Sequence, residues 1–156
     1  MSDEIAVVLT AMTPIGELRA AIPLGVLTYN LSWASVLVLA IVGNLIPVPI
    51  IIFLLRILGS RLERRTDIIG RILRWRTSSI EAKWGKRVRD YGFTAVMLIV
   101  AIPLPLTGAW TGSLAVYALR VPLGIGLAAI TAGVVIAGIV VTILTQAGVE
   151  LLRLTG

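Results

Sequence analysis

Residues 20–55, 91–119 and 121–149 contain no charged side chain. Each run exceeds the roughly 20 apolar residues that a helix needs to cross a bilayer. Soluble domains carry about 25% charged residues, whereas this chain carries 14%. The sequence therefore reads as an all-α integral membrane protein, and a soluble enzyme is excluded. The N-terminus is acidic, without a basic n-region or a small-residue cleavage site, so the first apolar segment is expected to stay in place rather than act as a signal peptide.

Cysteine and histidine are absent. Disulfides, thiol chemistry, imidazole bases and the usual zinc ligands are excluded with them, and no metal or cofactor is expected. Outside residues 56–90 the acids are Asp3, Glu4, Glu17 and Glu150. That is too little equipment to favour catalysis.

The net charge of +6 is concentrated in residues 56–90, which hold 11 of the 14 Lys/Arg. Basic residues gathered in one short loop beside apolar segments follow the positive-inside pattern, which places this loop in the cytoplasm and argues against nucleic acid as a partner. The expected location is a multi-pass protein of the cell membrane. Within the loop, Leu58, Leu62, Ile69, Ile72 and Leu73 recur at helical spacing, as do Ile80, Trp84 and Val88. The spacing predicts one or two basic amphipathic helices, interrupted near Thr77-Ser78-Ser79. Such a helix is either a surface anchor or a sensor of anionic lipid.

The chain on either side of the loop repeats a layout, with an offset of about 90 residues. In the first unit, 1–55, an apolar stretch (5–29) is broken around Pro14 and Gly16, with Pro23 following, and a run over 31–55 comes next. In the second unit, 91–156, the stretch 92–119 is broken around Pro103 and Pro105, and a run over 121–145 follows. A broken stretch is either one kinked span or two half-helices that enter and leave on the same side. Prolines and glycines grouped at the midpoint favour the re-entrant hairpin, whose freed backbone must be protected by protein or water. Two hairpin-plus-span units then form an inverted repeat with both termini outside; four full spans would put both termini inside.

Glu17 and Arg19 fall at the first break. A charge near the bilayer centre costs about 2.5–3.5 kcal/mol even on a lenient scale, which points to a cavity or pathway. The plainer alternative is an interfacial helix start, with Thr13 as cap and Pro14 as first residue. Glu17 is the natural proton carrier, its ionisation opposed by burial and favoured by Arg19. At the second break, Thr107, Gly108, Thr111, Gly112 and Ser113 can open a half-helix whose N-terminus attracts an anion. Trp110 beside it either lines the site or packs. Asn44 reads as glue between helices, with Pro47 and Pro49 as a kink. Ala129, Gly133 and Ala137 form a small-residue face for close packing, within the chain or with a second copy. Tyr29, Trp33, Trp84, Tyr91 and Tyr117 fall at segment ends, as an interfacial belt requires.

The block Pro14-Ile15-Gly16-Glu17-Leu18-Arg19-Ala20-Ala21-Ile22-Pro23, paired with Ala101-Ile102-Pro103-Leu104-Pro105-Leu106-Thr107-Gly108-Ala109-Trp110, resembles the "putative small multidrug export protein" family. That family is a compact relative of the DedA (VTT-domain) superfamily. The resemblance covers nearly the whole chain and implies two facing re-entrant hairpins and a lipid-handling role. DedA-like proteins are implicated in proton-dependent movement of polyprenyl-phosphate carriers, and relatives scramble phospholipids. Where DedA proteins place arginines around the second Ile-Pro, this chain has Val100 and Leu106. The resemblance therefore transfers phosphate binding to Arg19 and Arg120.

Three functions compete. The first is a flippase or transporter for an anionic lipid carrier, with Glu17, Arg19, Thr107, Gly108, Trp110 and Arg120 at its substrate and proton site. The second is a proton-coupled small multidrug exporter, against which Arg19 argues by its like charge. Small multidrug resistance proteins use such a glutamate but lack the basic linker and the paired breaks. The third is a non-transporting membrane scaffold.

Overall fold

The computed structural model describes residues 2–103 and 107–155, and these residues form helices without any strand. Pro105, expected at the second break, lies outside them. α1 (Asp3–Met12) ends at the first break, and α2 (Glu17–Pro23) begins after four intervening residues. Pro23 does not interrupt the chain. The helix continues as a π-helical turn over Leu24–Thr28, a widening that accommodates the N–H missing at proline. Pro14 and Gly16 do lie in the break. There Thr13 Oγ1 accepts from the Gly16 N–H at 3.0 Å and donates to the Thr10 carbonyl at 2.8 Å.

α3 (Trp33–Leu45) is capped by Ser32, whose side chain accepts from the Ser35 N–H. It continues through Ile46, which keeps helical dihedrals, into α4 (Pro47–Glu63). α5 (Ile68–Ala101) is capped by Asp67 and runs unbroken through Thr77-Ser78-Ser79. The interruption expected there does not occur. Thr77 Oγ1 donates to the Leu73 and Arg74 carbonyls and Ser78 Oγ to that of Trp75, so the hydroxyls are satisfied within the helix. The linker breaks instead between α4 and α5, and α5 kinks at Gly92, whose φ of 39° a side chain would resist. α6 (Ala109–Ala118) and α7 (Leu123–Thr155) complete the chain, α7 extending ten residues past the expected end at 145.

In both broken stretches, residues from either side of the break pack together. A Cβ on Gly25 would stand 2.9 Å from Val7 Cγ2, bringing together residues at the far ends of the first stretch. Ile99 packs with Ala115 in the second. α1 packs on α3 and α5 on α7, while α2 crosses to α7 and α6 to α4. These contacts need glycine. A Cβ on Gly43 would lie 2.6 Å from the Val8 carbonyl oxygen, and one on Gly133 2.7 Å from that of Met97. Gly133 and Ala137 are thus used inside the chain, against α5 and the core.

Two helical stretches, Trp33–Glu63 and Leu123–Leu154, are long and apolar enough to cross a membrane. Their outward faces present Val38, Ile50, Phe53, Ile57, Ile136 and Ile143, an apolar exterior that suits lipid and not water.

Candidate functional site

The starts of α2 and α6 meet. Glu17, the first residue of α2, is only 4% exposed, although it lies in an otherwise apolar stretch. Its φ of 45° is a left-handed conformation that costs a non-glycine residue energy and turns the side chain toward the second break. There Glu17 Oε1 accepts from the Trp110 backbone N–H at 3.4 Å. Trp110 is the second residue of α6, so the carboxylate occupies that helix's N-terminus, where unpaired donors and the helix dipole favour negative charge.

Gly108, the N-cap of α6, makes this approach possible. Its φ of 132° belongs to glycine, and a Cβ there would overlap the Glu17 carboxyl group. Arg19 closes the arrangement from the same side. Its guanidinium donates to the Thr107 carbonyl at 2.8 Å and stands 3.7 Å from Glu17 Oε2. A further link comes from Trp110, whose indole Nε1–H donates to the Met12 carbonyl at the end of α1 at 3.2 Å. Three contacts, each between residues about 90 positions apart, therefore latch the two breaks together.

Beneath the latch lies a small pocket of about 10 Å³, lined by Glu17, Arg19, Asn44, Pro103 and Thr107 among others. Asn44 was expected to hydrogen-bond between helices. It is 1% exposed, and among the described residues nothing donates to its Oδ1. Its place in the site was not readable, because an asparagine in an apolar run gives no sign of what faces it.

Arg120 is not part of this cluster. With φ 54° it forms the turn between α6 and α7 and lines a separate, open cavity of about 1160 Å³ with Arg56, Glu63, Glu81 and Arg89. Arg56 donates to the Val121 carbonyl at 2.7 Å, holding α4 to that turn. Of the six residues expected to share one site, five come together and Arg120 stands apart. Among the described residues no group of His, Cys, Asp and Glu could hold a metal ion.

An acid is thus buried at the meeting point of two broken apolar stretches. Residues 17–140 match the family described as "Putative small multi-drug export protein". The chain belongs to this family. The match begins at Glu17, includes Arg19, Gly108 and Trp110, and covers the whole of the first long apolar helix and the second as far as residue 140. Neither curated proteins nor solved structures gave a match. As a family member with two membrane-capable helices, the chain is a membrane protein of a transporter family.

Proposed function

We propose that this small multidrug export family member is a proton-coupled exporter in which Glu17 alternately holds the latch, a proton and a cationic substrate. The observation that carries this reading is the burial of Glu17 against the N-terminus of α6. A helix N-terminus expected to attract an anionic headgroup is filled by the chain's own carboxylate. Arg19, whose charge counted against a cationic substrate, already donates to the Thr107 carbonyl and lies beside Glu17. A charge-assisted hydrogen bond is worth about 1.5–3 kcal/mol, and a partly buried charge at a helix end up to about 2 kcal/mol. A bound cation or proton can offset terms of that size, so loading Glu17 releases the two breaks from each other.

The same reading makes the broken stretches re-entrant hairpins of an inverted repeat. Its support is a correspondence between contacts: Gly43 meets Val8 and Ala11, and Gly133 meets Met97 and Val100, all displaced by about 90 residues. The exchange of α2 onto α7 and α6 onto α4 is reciprocal in the same way. With the basic linker cytoplasmic, the Arg56–Arg89–Arg120 cavity opens inward.

That cavity favours a second reading, a DedA-like translocator of lipid phosphates, because three arginines around a wide basin suit an anionic headgroup. Reconstituted vesicles separate the two. Under a pH gradient the wild type is expected to move a fluorescent lipophilic cation, and Glu17→Gln to abolish that movement. Gradient-driven movement of a labelled lipid phosphate, with none of the cation, would replace the exporter reading by the second.

A further inference from the structure

Asn44 sits on α3, one residue after the glycine that lets α1 approach, and its side chain reaches the pocket beneath the latch. A buried acceptor with no donor is costly, and native interiors resolve it with a partner or an ordered water. The pocket's volume of about 10 Å³ lies at the lower limit for one water and excludes any larger ligand. Asn44 Oδ1 and the Glu17 carboxylate are acceptors on its wall, so an occupant that bridges them donates in two directions. Water does this. Among the described residues no group of acids is placed to hold a metal ion there. Leu18, Val100, Ala137 and Val141 are apolar parts of its walls. Among the described lining residues Arg19 is the other charged group; α3, α5 and α7 bring no titratable side chain to the pocket.

We infer that Asn44 is a positioning residue for the proton site: its side-chain oxygen and the Glu17 carboxylate hold one water between them, through which Glu17 exchanges its proton. A proton delivered to that water as hydronium passes along the hydrogen bond to the carboxylate and leaves neutral water behind. Release runs in reverse. The exchange role rests on the proposed function of Glu17; the water itself does not.

The test uses the reconstituted full chain and Asn44→Leu, which keeps the branched shape of the side chain and removes the acceptor. Infrared difference spectra between high and low pH, recorded in ordinary and oxygen-18 water, read the water directly. An isotope-sensitive water band in the wild type that disappears in Asn44→Leu supports the inference; the same spectrum in both overturns it. Thermal unfolding gives a second readout. A dry orphan oxygen replaced by a methyl group should raise Tm, and such a rise overturns the bound water.

In transport, Asn44→Leu is expected to move the pH midpoint upward by about one unit, because the ionised carboxylate loses a donor. Asn44→Ser, which keeps an acceptor, should restore much of that shift. An unmoved midpoint ends the exchange role. A wild type with no pH-dependent transport ends that role together with the proposed function, while the isotope-sensitive band still decides the water.

Discussion

The Trp110 backbone N–H donates to Glu17 Oε1 at 3.4 Å across 93 positions of sequence. This pairing makes the two halves of the molecule complementary. α6 opens with donors that its own residues leave unpaired, and α2 supplies the charge they attract. The pair also explains why a buried glutamate is tolerated in an apolar chain. Its cost is offset by a helix end and a neighbouring guanidinium, an arrangement sensitive to a single change in protonation.

Gly108 is the sterically tightest point of this contact. Gly108→Ala should force the Glu17 carboxylate away and strain a backbone at φ 132°, destabilising the protein by about 1–3 kcal/mol. Thermal unfolding in detergent measures it. Combined with Glu17→Ala, the loss should fall short of the sum of the single changes, because the overlap disappears with the carboxylate. Additive losses would show that Gly108 matters for its backbone alone.

Trp110 tests the latch without touching the acid. Trp110→Phe keeps an aromatic ring and removes the donor to the Met12 carbonyl, a change of about 1 kcal/mol in stability. If the latch is what substrate and proton must open, this variant should transport faster at low driving force. Slower transport with unchanged stability would mean that the indole contacts substrate instead.

How much of this was readable beforehand depends on whether a residue's role is local. Glu17 and Arg19 stood out because a charge in an apolar run is expensive wherever it ends up. Gly108 and Trp110 stood out by their place beside a break. That Glu17 itself fills the α6 N-terminus required knowing that the two breaks meet, which no local pattern encodes. Arg120 stands apart for the same reason: its charge was visible, its distance from Arg19 was not. Within the linker, Thr77-Ser78-Ser79 looked like a break because hydroxyl residues disfavour helix interiors, yet Thr77 and Ser78 bond back to their own helix. Gly92, flanked by Tyr91 and Phe93, gave no comparable signal and holds the kink.

The linker's basic residues divide into two groups that mutation can separate. Arg74 donates to the Glu63 and Arg65 carbonyls and so caps the end of α4, whereas Arg71 and Arg76 lie on an exposed helix whose Ile68, Ile69, Ile72 and Trp75 are also uncovered. Arg71→Gln with Arg76→Gln should weaken binding to anionic vesicles by about 1 kcal/mol per residue and leave stability unchanged. Arg74→Gln should instead lower Tm. Vesicle co-sedimentation alongside thermal unfolding distinguishes them; equal loss of Tm in all three variants would remove the surface role.

The re-entrant arrangement makes a topological prediction at two positions where the four-span alternative makes the opposite one. The chain has no cysteine, so single substitutions report without background. Asn30 faces outside and Ser78 inside under either arrangement, and Asn30→Cys and Ser78→Cys serve as controls. If the first stretch turns back, Ser2 lies on the same side as Asn30; if it spans, Ser2 joins Ser78. The α6–α7 turn behaves in the same manner, with Pro122 inside for a hairpin and outside for a span. A membrane-impermeant maleimide applied to intact cells should therefore label Ser2→Cys and Asn30→Cys and spare Pro122→Cys and Ser78→Cys. The packing supports that outcome, since Gly25 lies against Val7 and Ile99 against Ala115, pairs that a straight span would hold far apart. Labelling at Pro122→Cys with protection at Ser2→Cys would mean four spans, and the two breaks would then be kinks within them.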